Sequence, residues 1–488
     1  MTILSRRGFL AAGASALTLP CLPRPALAQT PPISLAAARR TLDIDGRAAT
    51  VFGLSGPAGQ GLILDPGQRF RVDLTNTLDV ATIVHWHGQI PPNAQDGVPD
   101  APMPALAPGE TRSYDFDPRP GTHWMHSHIP TQEMQLLAAP LIVRAPEDLA
   151  EDRQEVVLFL HDFSFKAPKE VLEEITGGHG MAHAHGSAGG GGEPGAAGGG
   201  MEGMAMGDMA MGGMAMDLND YDWDAYLAND RTLTDPEVVP VERGGRVRLR
   251  VINAAAATVF WIDTGGLPAR LVAVDGHGVE PVAGTRFGLA MGQRMDLQID
   301  LPAEGGAWPV LALREGARER TGIVLATPGA EVRRIEPQAE AEAPAFDTDL
   351  AQESRLVTRD PLPVRAADRS RVLMLGGSMQ PYVWTIDGAT WGRHSPVEAA
   401  SGERVDLSFH NMSMMGHPMH LHGHAFQVIG VNGKAIAGAR RDTVYVPPMS
   451  MVTVAIDAGE AARWMLHCHH MPHLATGMMT EFVVTAAA

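Results

Sequence analysis

Gly67-Gln68-Arg69-Phe70-Arg71-Val72-Asp73-Leu74-Thr75-Asn76 places an apolar residue at every second position between a glycine and an asparagine. Successive side chains of a strand point to opposite faces, so this pattern predicts a half-buried β-strand. The frame returns as Gly244-Gly245-Arg246-Val247-Arg248-Leu249-Arg250-Val251-Ile252-Asn253, and again as Gly402-Glu403-Arg404-Val405-Asp406-Leu407-Ser408-Phe409-His410-Asn411. Glycine, arginine, three alternating apolar positions and asparagine keep identical offsets, at spacings of 177 and 158 residues. Self-similarity on that scale indicates three homologous domains. Strand patterns punctuated by Gly, Pro and Asn make each an all-β sandwich. The expected domains are 30–148, 151–330 and 369–488, with the Ala-, Glu- and Pro-rich stretch 331–368 as a linker.

The repeat serves as a ruler. Nine and eleven residues after Asn76 stand His85 and His87, and the same offsets from Asn411 reach His420 and His422. From Asn253 they reach Ile262 and Thr264. A second match joins Trp124-Met125-His126-Ser127-His128 to Trp464-Met465-Leu466-His467-Cys468-His469. The outer domains thus carry two His-x-His pairs each, and the middle domain carries none. A lone histidine is usually a satisfied core or surface residue, but four pairs at repeated offsets imply one metal cluster shared by domains 1 and 3. Domain 2 is then a spacer. Zinc suits this poorly, because structural zinc takes four mostly Cys-rich ligands and catalytic zinc takes three plus water.

His467-Cys468-His469, read as a strand, sets two imidazoles on one face and a thiol on the other. Such a tripeptide can hold metal on both sides, and electron transfer between two metal sites is the leading use. His473 follows Cys468 by five residues and Met478 by ten. One Cys, two His and a weak axial Met make a blue-copper ligand set. The second histidine must come from elsewhere, and His417 is the candidate.

The 488 residues are 45% apolar, enough for ordinary cores, and carry a formal charge of -18. That charge argues against nucleic acid and anionic membrane surfaces and is compatible with cationic substrates, metal ions included. Ser5-Arg6-Arg7-Gly8-Phe9-Leu10, the apolar run from Ala11 to Leu19, and Ala26-Leu27-Ala28 read as a twin-arginine export signal over 1–28. The apolar run is too short to span a membrane, and Pro20 fits lipidation at Cys21 poorly. The expected location is the periplasm or the cell exterior. Once Cys21 is removed, Cys468 stands alone and no intramolecular disulfide can form. A lone thiol is either a small buried hydrophobe or a ligand, and His467, His469, His470 and His473 around it point to a ligand.

Between 177 and 217 the composition changes. His179, His183 and His185 precede a glycine run, and Met201, Met204, Met206, Met209, Met211, Met214 and Met216 follow among Gly, Ala and acids. This stretch cannot build a core and reads as a mobile insertion in domain 2. It is either a flexible linker or, since thioethers are soft, a Cu(I)-binding segment.

His85-Trp86-His87-Gly88, His126-Ser127-His128, His417-Pro418-Met419-His420-Leu421-His422-Gly423 and the segment from His467 to Met478 resemble the three-domain multicopper oxidases, including laccases and bacterial copper-resistance oxidases. The resemblance covers essentially the whole chain after the signal. It implies three cupredoxin-like Greek-key domains and four copper ions: one type 1, one type 2 and a type 3 pair. By motif position, type 1 copper takes His417, Cys468, His473 and axial Met478, and type 2 takes His85 and His420. One type 3 copper takes His87, His126 and His469, and the other takes His128, His422 and His467. The implied reaction couples four one-electron oxidations at type 1 to reduction of dioxygen to two waters. Asp96, in Asp96-Gly97-Val98-Pro99, matches an acid near the cluster, with a turn role as the alternative. Where some members carry a second acid, this chain has Leu474. His123, His424 and His470 match no ligand position. The reductant implied is Cu(I) or a phenol, acting on a monomer. The Met-rich insertion, the export signal and Met415, placed like a substrate-copper ligand of cuprous oxidases, favour Cu(I), although Ser413 stands where some members place an acid. A non-enzymatic copper carrier is the third possibility, but such relatives lack motif histidines that are all present here.

Overall fold

The structure, a computed structural model, describes residues 31–177 and 218–487. The export signal and the residues from Met201 to Met216 lie outside the described residues.

All three copies of the repeat are strands: Phe70–Asn76, Arg246–Asn253 and Arg404–Asn411. In the first, Phe70, Val72 and Leu74 are buried while the alternate residues are half-buried. Each runs parallel to the strand that opens its third of the chain: Ile33–Ile44, Gln154–Phe163 and Arg369–Met379. Each pairs antiparallel on its other side with Thr111–Phe116, Arg294–Asp300 or Met451–Asp457. The repeated glycines Gly67, Gly244 and Gly402 all have positive φ, at 75°, 63° and 89°, a turn conformation that costs glycine little.

The repeated asparagine has a physical reason too. Asn76 Nδ2 donates to Val80 O and Leu106 O while its Oδ1 accepts from Leu78 N. Asn253 makes the equivalent bonds to Thr258 O, Leu289 O and Ala255 N. Asn411 makes them to Met415 O, Val446 O and Ser413 N. Only a side chain with both donors and an acceptor can do this. It sets the exit of the chain from one sheet toward the next strand, which in the outer copies carries the His-x-His pair.

Among the described residues there are six sheets, two in each third. In the first third, Phe70, Val72 and Leu74 share one buried cluster with Val84, Met125 and Leu141 of the facing sheet. This is sandwich packing. One continuous buried cluster, from Met134 to Val484, spans the middle and last thirds. The middle copy departs from strict alternation, because its second face is also covered. There Arg250 is 0% exposed, ion-paired with Asp148, Glu155 and Asp296, and donates to Thr122 Oγ1 at 3.1 Å. Thr122 lies on Gly121–Ser127, the strand that carries His126.

The stretch 331–368 has little regular structure but is not loose. Phe346, Leu350 and Leu356 are buried, and Glu353 pairs with Arg441 at 2.9 Å. No described helix is long and apolar enough to cross a membrane.

Candidate metal centre

The His-x-His pairs lie on adjacent strands at each end of the chain. Val84–His85 pairs with Gly121–Ser127 so that His85 faces His126. His417–Leu421 pairs with Arg463–Cys468 so that His420 faces His467 and Met419 faces Cys468. The two arrangements correspond residue for residue, as the ruler requires. Tertiary packing brings them together, and all eight imidazoles are buried.

They converge in groups. His85, His87 and His420 form one, His87, His126 and His469 a second, and His128, His422 and His467 a third; within each, ligand atoms lie within 4.8 Å of one another. His85 Nε2 is 3.4 Å from His420 Nε2. His467 Nε2 is 3.1 Å from His422 Nε2 and 3.4 Å from His128 Nε2.

The outward nitrogens are held. His85 Nδ1 meets the Asp96 carbonyl at 2.8 Å, and His420 Nδ1 meets the Asp442 carbonyl at 2.9 Å. His422 Nδ1 meets Asp96 Oδ2 at 2.8 Å, and His467 Nδ1 meets the Cys468 carbonyl at 3.0 Å. His87 is turned the other way: Nε2 lies 3.1 Å from Asp442 Oδ1, and its inward Nδ1 has no hydrogen-bond partner among the described residues. Such outer contacts fix tautomer and ring orientation at metal sites. Asp442 is itself clamped by Arg294, with two bonds of 2.6 Å. Burial alone raises the Asp442 pKa, but Arg294 overcomes it and holds the acid below its usual value.

A fourth group sits on the opposite face of the His467-Cys468-His469 strand. Cys468 Sγ is 3.7 Å from His417 Nδ1 and 3.6 Å from His473 Nδ1, and the two nitrogens are 3.2 Å apart. Met478 is fully buried beside them, its carbonyl accepting from Cys468 N at 3.1 Å and its N–H donating to His473 O at 2.9 Å. Helix Met471–Ala475 delivers His473. His417 Nε2 is 2.8 Å from Ser413 Oγ. His470 stacks on His473 at 3.8 Å and Trp384 lies 4.1 Å from it. Asp220 Oδ2 stands 3.6 Å from His473 Nε2 and accepts from the Tyr382 hydroxyl.

This donor set fits copper. Burial, then repulsion among neighbouring imidazoles, holds His87, His128, His420 and His469 well below the ordinary histidine pKa. Neutral rings offer lone pairs to a metal. The inward nitrogens His87 Nδ1 and His126 Nε2 are buried without hydrogen-bond partners among the described residues, which buried polar atoms rarely are. One soft thiol with two imidazoles and a thioether beside it, and imidazoles alone elsewhere, suit copper better than oxygen-seeking cations.

Of the expected ligands, every histidine and Cys468 falls in one of these groups, and Asp96 touches the rings of His85 and His422. Met415 differs. It is 3% exposed within the apolar core, because the Asn411 side chain draws its backbone inward. The exposed thioethers of this loop are Met412 and Met414, at 50% and 37%. His424 is spent on backbone, with Nδ1 on His422 O and Nε2 accepting from Gly459 N.

Sequence reasoning missed Glu133, Asp442, Asp220 and Trp384. Glu133 carried a signal: it lies five residues after His128, as Leu474 lies five after His469. The others come from segments with no counterpart in the ruler.

Multicopper oxidase family models match residues 39–148, 200–327 and 365–488. Multicopper oxidase MmcO of Mycobacterium tuberculosis is 31% identical, over 98% of this chain and 96% of that protein. Copper resistance protein A of Escherichia coli is 25% identical, over 88% of each. The solved laccase from Botrytis aclada superposes with a TM-score of 0.70 at 20% identity, over 93% of this chain and 88% of that one. This last likeness speaks for the fold alone, a set of cupredoxin-type sandwiches.

Proposed function

The chain belongs to the multicopper oxidase family, and from that premise we propose that it oxidises Cu(I) in the periplasm with dioxygen as the acceptor. We read it as three domains, 30–148, 151–330 and 369–488, exported by the twin-arginine signal. His417, Cys468, His473 and axial Met478 would hold a type 1 copper. His85 and His420 would hold type 2. His87, His126 and His469 would hold one type 3 copper, and His128, His422 and His467 the other. Bound copper supplies one-electron oxidation at the first site and four-electron reduction of dioxygen to water at the cluster.

The observation that carries this reading is the position of Cys468. Its sulfur faces His417 and His473 while its neighbours His467 and His469 enter two different histidine groups. A single strand therefore joins the site that receives electrons to the site that uses them. The contact of 3.0 Å between His467 Nδ1 and the Cys468 carbonyl adds a short hydrogen-bonded route beside the covalent one.

Relatives named for copper resistance and the thioethers between Met201 and Met216 support Cu(I) over a phenol. His473 is 0% exposed, beneath His470 and Trp384, so neither reductant touches its imidazole directly. Oxygen uptake with Cu(I) and with a phenol, under one set of conditions, tests the choice. Faster turnover of the phenol at matched concentration would return the protein to the laccase reading.

Deleting Met201 to Met216 is expected to lower Cu(I) oxidation at limiting copper while phenol oxidation stays the same or rises. Thioethers are soft and unbranched and prefer Cu(I) to harder divalent ions. A tethered weak site raises the local substrate concentration. The proposed copper ligands lie outside the deletion, so copper content should not change. Kinetic curves for both substrates on intact and deleted protein decide it: parallel losses would indicate a structural role, and no loss a plain linker.

Asp96 is read as a proton-handling acid at the cluster. Its Oδ2 holds His422 Nδ1 and its Oδ1 is 3.3 Å from His85 Nδ1. Asp96→Asn should slow dioxygen reduction by about 100-fold, the low end of what a positioned acid contributes, and leave reduction of the type 1 site unchanged. Equal single-turnover reoxidation rates in parent and variant would leave Asp96 a turn residue.

A further inference from the structure

Two buried groups without partners face each other beside the cluster. Both carboxylate oxygens of Glu133 and both ring nitrogens of His469 lack an aligned hydrogen bond among the described residues. Glu133 Oε1 stands 3.9 Å from His469 Nδ1. Glu133 Oε2 lies 2.8 Å from His126 Nδ1, off the line of an N–H that points at the Ser127 carbonyl 3.0 Å away. The glutamate side chain is 1% exposed. A buried carboxylate is costly unless something pairs with it, and the ion-pair contacts described for Glu133 are these two imidazoles.

His126 and His469 come from opposite ends of the chain yet share one group with His87. We propose that Glu133 is the positioning residue of that group. It takes the outer N–H of His469, a shift of about 1 Å bringing the pair into hydrogen-bond range, and braces His126 from the same side. Both rings are then fixed with Nε2 facing inward, and their basicity rises. The neighbouring acids follow the same plan. Asp96 contacts His85 and His422, and Asp442 contacts His87 and His420. Each carboxylate links one histidine from each end of the chain, and Glu133 does so for His126 and His469, two of the four cluster histidines that Asp96 and Asp442 do not contact. Within the repeat it occupies the position that is Leu474 in the C-terminal copy.

The inference rests on the copper-cluster reading, and the test separates the two. Copper-loaded parent and Glu133→Gln proteins are titrated with a competing chelator. Copper retention, the type 3 near-ultraviolet absorption, the paramagnetic resonance signal and the blue band are followed together, with the melting temperature of the copper-free protein as a control. Glu133→Gln should release cluster copper at about 10–100-fold lower chelator strength, the usual loss when an outer partner is removed. Its type 3 signature should weaken while the blue band and the copper-free melting temperature hold. Glu133→Asp, which keeps the charge, should recover part of the retention. Unchanged retention and signature in Glu133→Gln would overturn the assignment. So would loss of the blue band together with a lower copper-free melting temperature, which would mark a general packing role. A parent protein with no type 3 signature would instead defeat the cluster reading itself.

Discussion

Cys468→Ser is expected to abolish the intense visible absorption and all substrate oxidation while the cluster copper stays in place. Thiolate-to-copper charge transfer gives a type 1 site its colour, and a serine hydroxyl offers neither the soft ligand nor the transition. Cys468 is the only cysteine apart from Cys21, so no other thiol can substitute. The three histidine groups of the cluster lie on the other face of the strand and contain no sulfur. A buried hydroxyl without a good partner costs about 1–3 kcal/mol, which a domain of ordinary stability tolerates. Absorption spectra, copper content and oxygen uptake of the purified variant check the outcome together. A variant that remained blue would remove Cys468 from the receiving site. Loss of the cluster copper as well would show that the substitution had unfolded the C-terminal sandwich rather than emptied one site.

The complementary change is the joint replacement of His85 and His420 by alanine. These rings meet nitrogen to nitrogen at 3.4 Å and belong to the group nearest Asp96 and Asp442. Without them the proposed type 2 site should empty, and reoxidation by dioxygen should fall to the uncatalysed background. The blue colour and reduction of the type 1 site should persist, because His417, Cys468 and His473 make no contact with either residue's ring. Stopped-flow reduction followed by mixing with dioxygen reads both halves in one experiment. Reoxidation at the parent rate would mean that the shared cluster is misplaced. Loss of both halves would mean that the two sites are not independent, contrary to their placement on opposite faces of one strand.

Local periodicity made much of this protein legible in its sequence. Strands alternate with a period of two, so the frames ending at Asn76, Asn253 and Asn411 declared three sheets of one plan, and the same period put His85 with His87 and His467 with His469 on single faces. It also set Cys468 against its neighbours. The asparagines recur because each makes the same three-way bond to the chain's exit from its strand. Tertiary structure decided what depends on distant segments meeting. Which histidines share a group follows from packing between opposite ends of the chain. Of the acids behind them, Glu133 stands at the repeat position of Leu474, but Asp442 is identified by distances that no spacing encodes, and Arg294 reaches it across 148 positions. Burial of Met415, and the cover that His470 and Trp384 place over His473, likewise arise only when the sheets close. A strand's faces are a property of its own backbone, whereas a ligand's outer partner is a property of whatever the fold packs behind it.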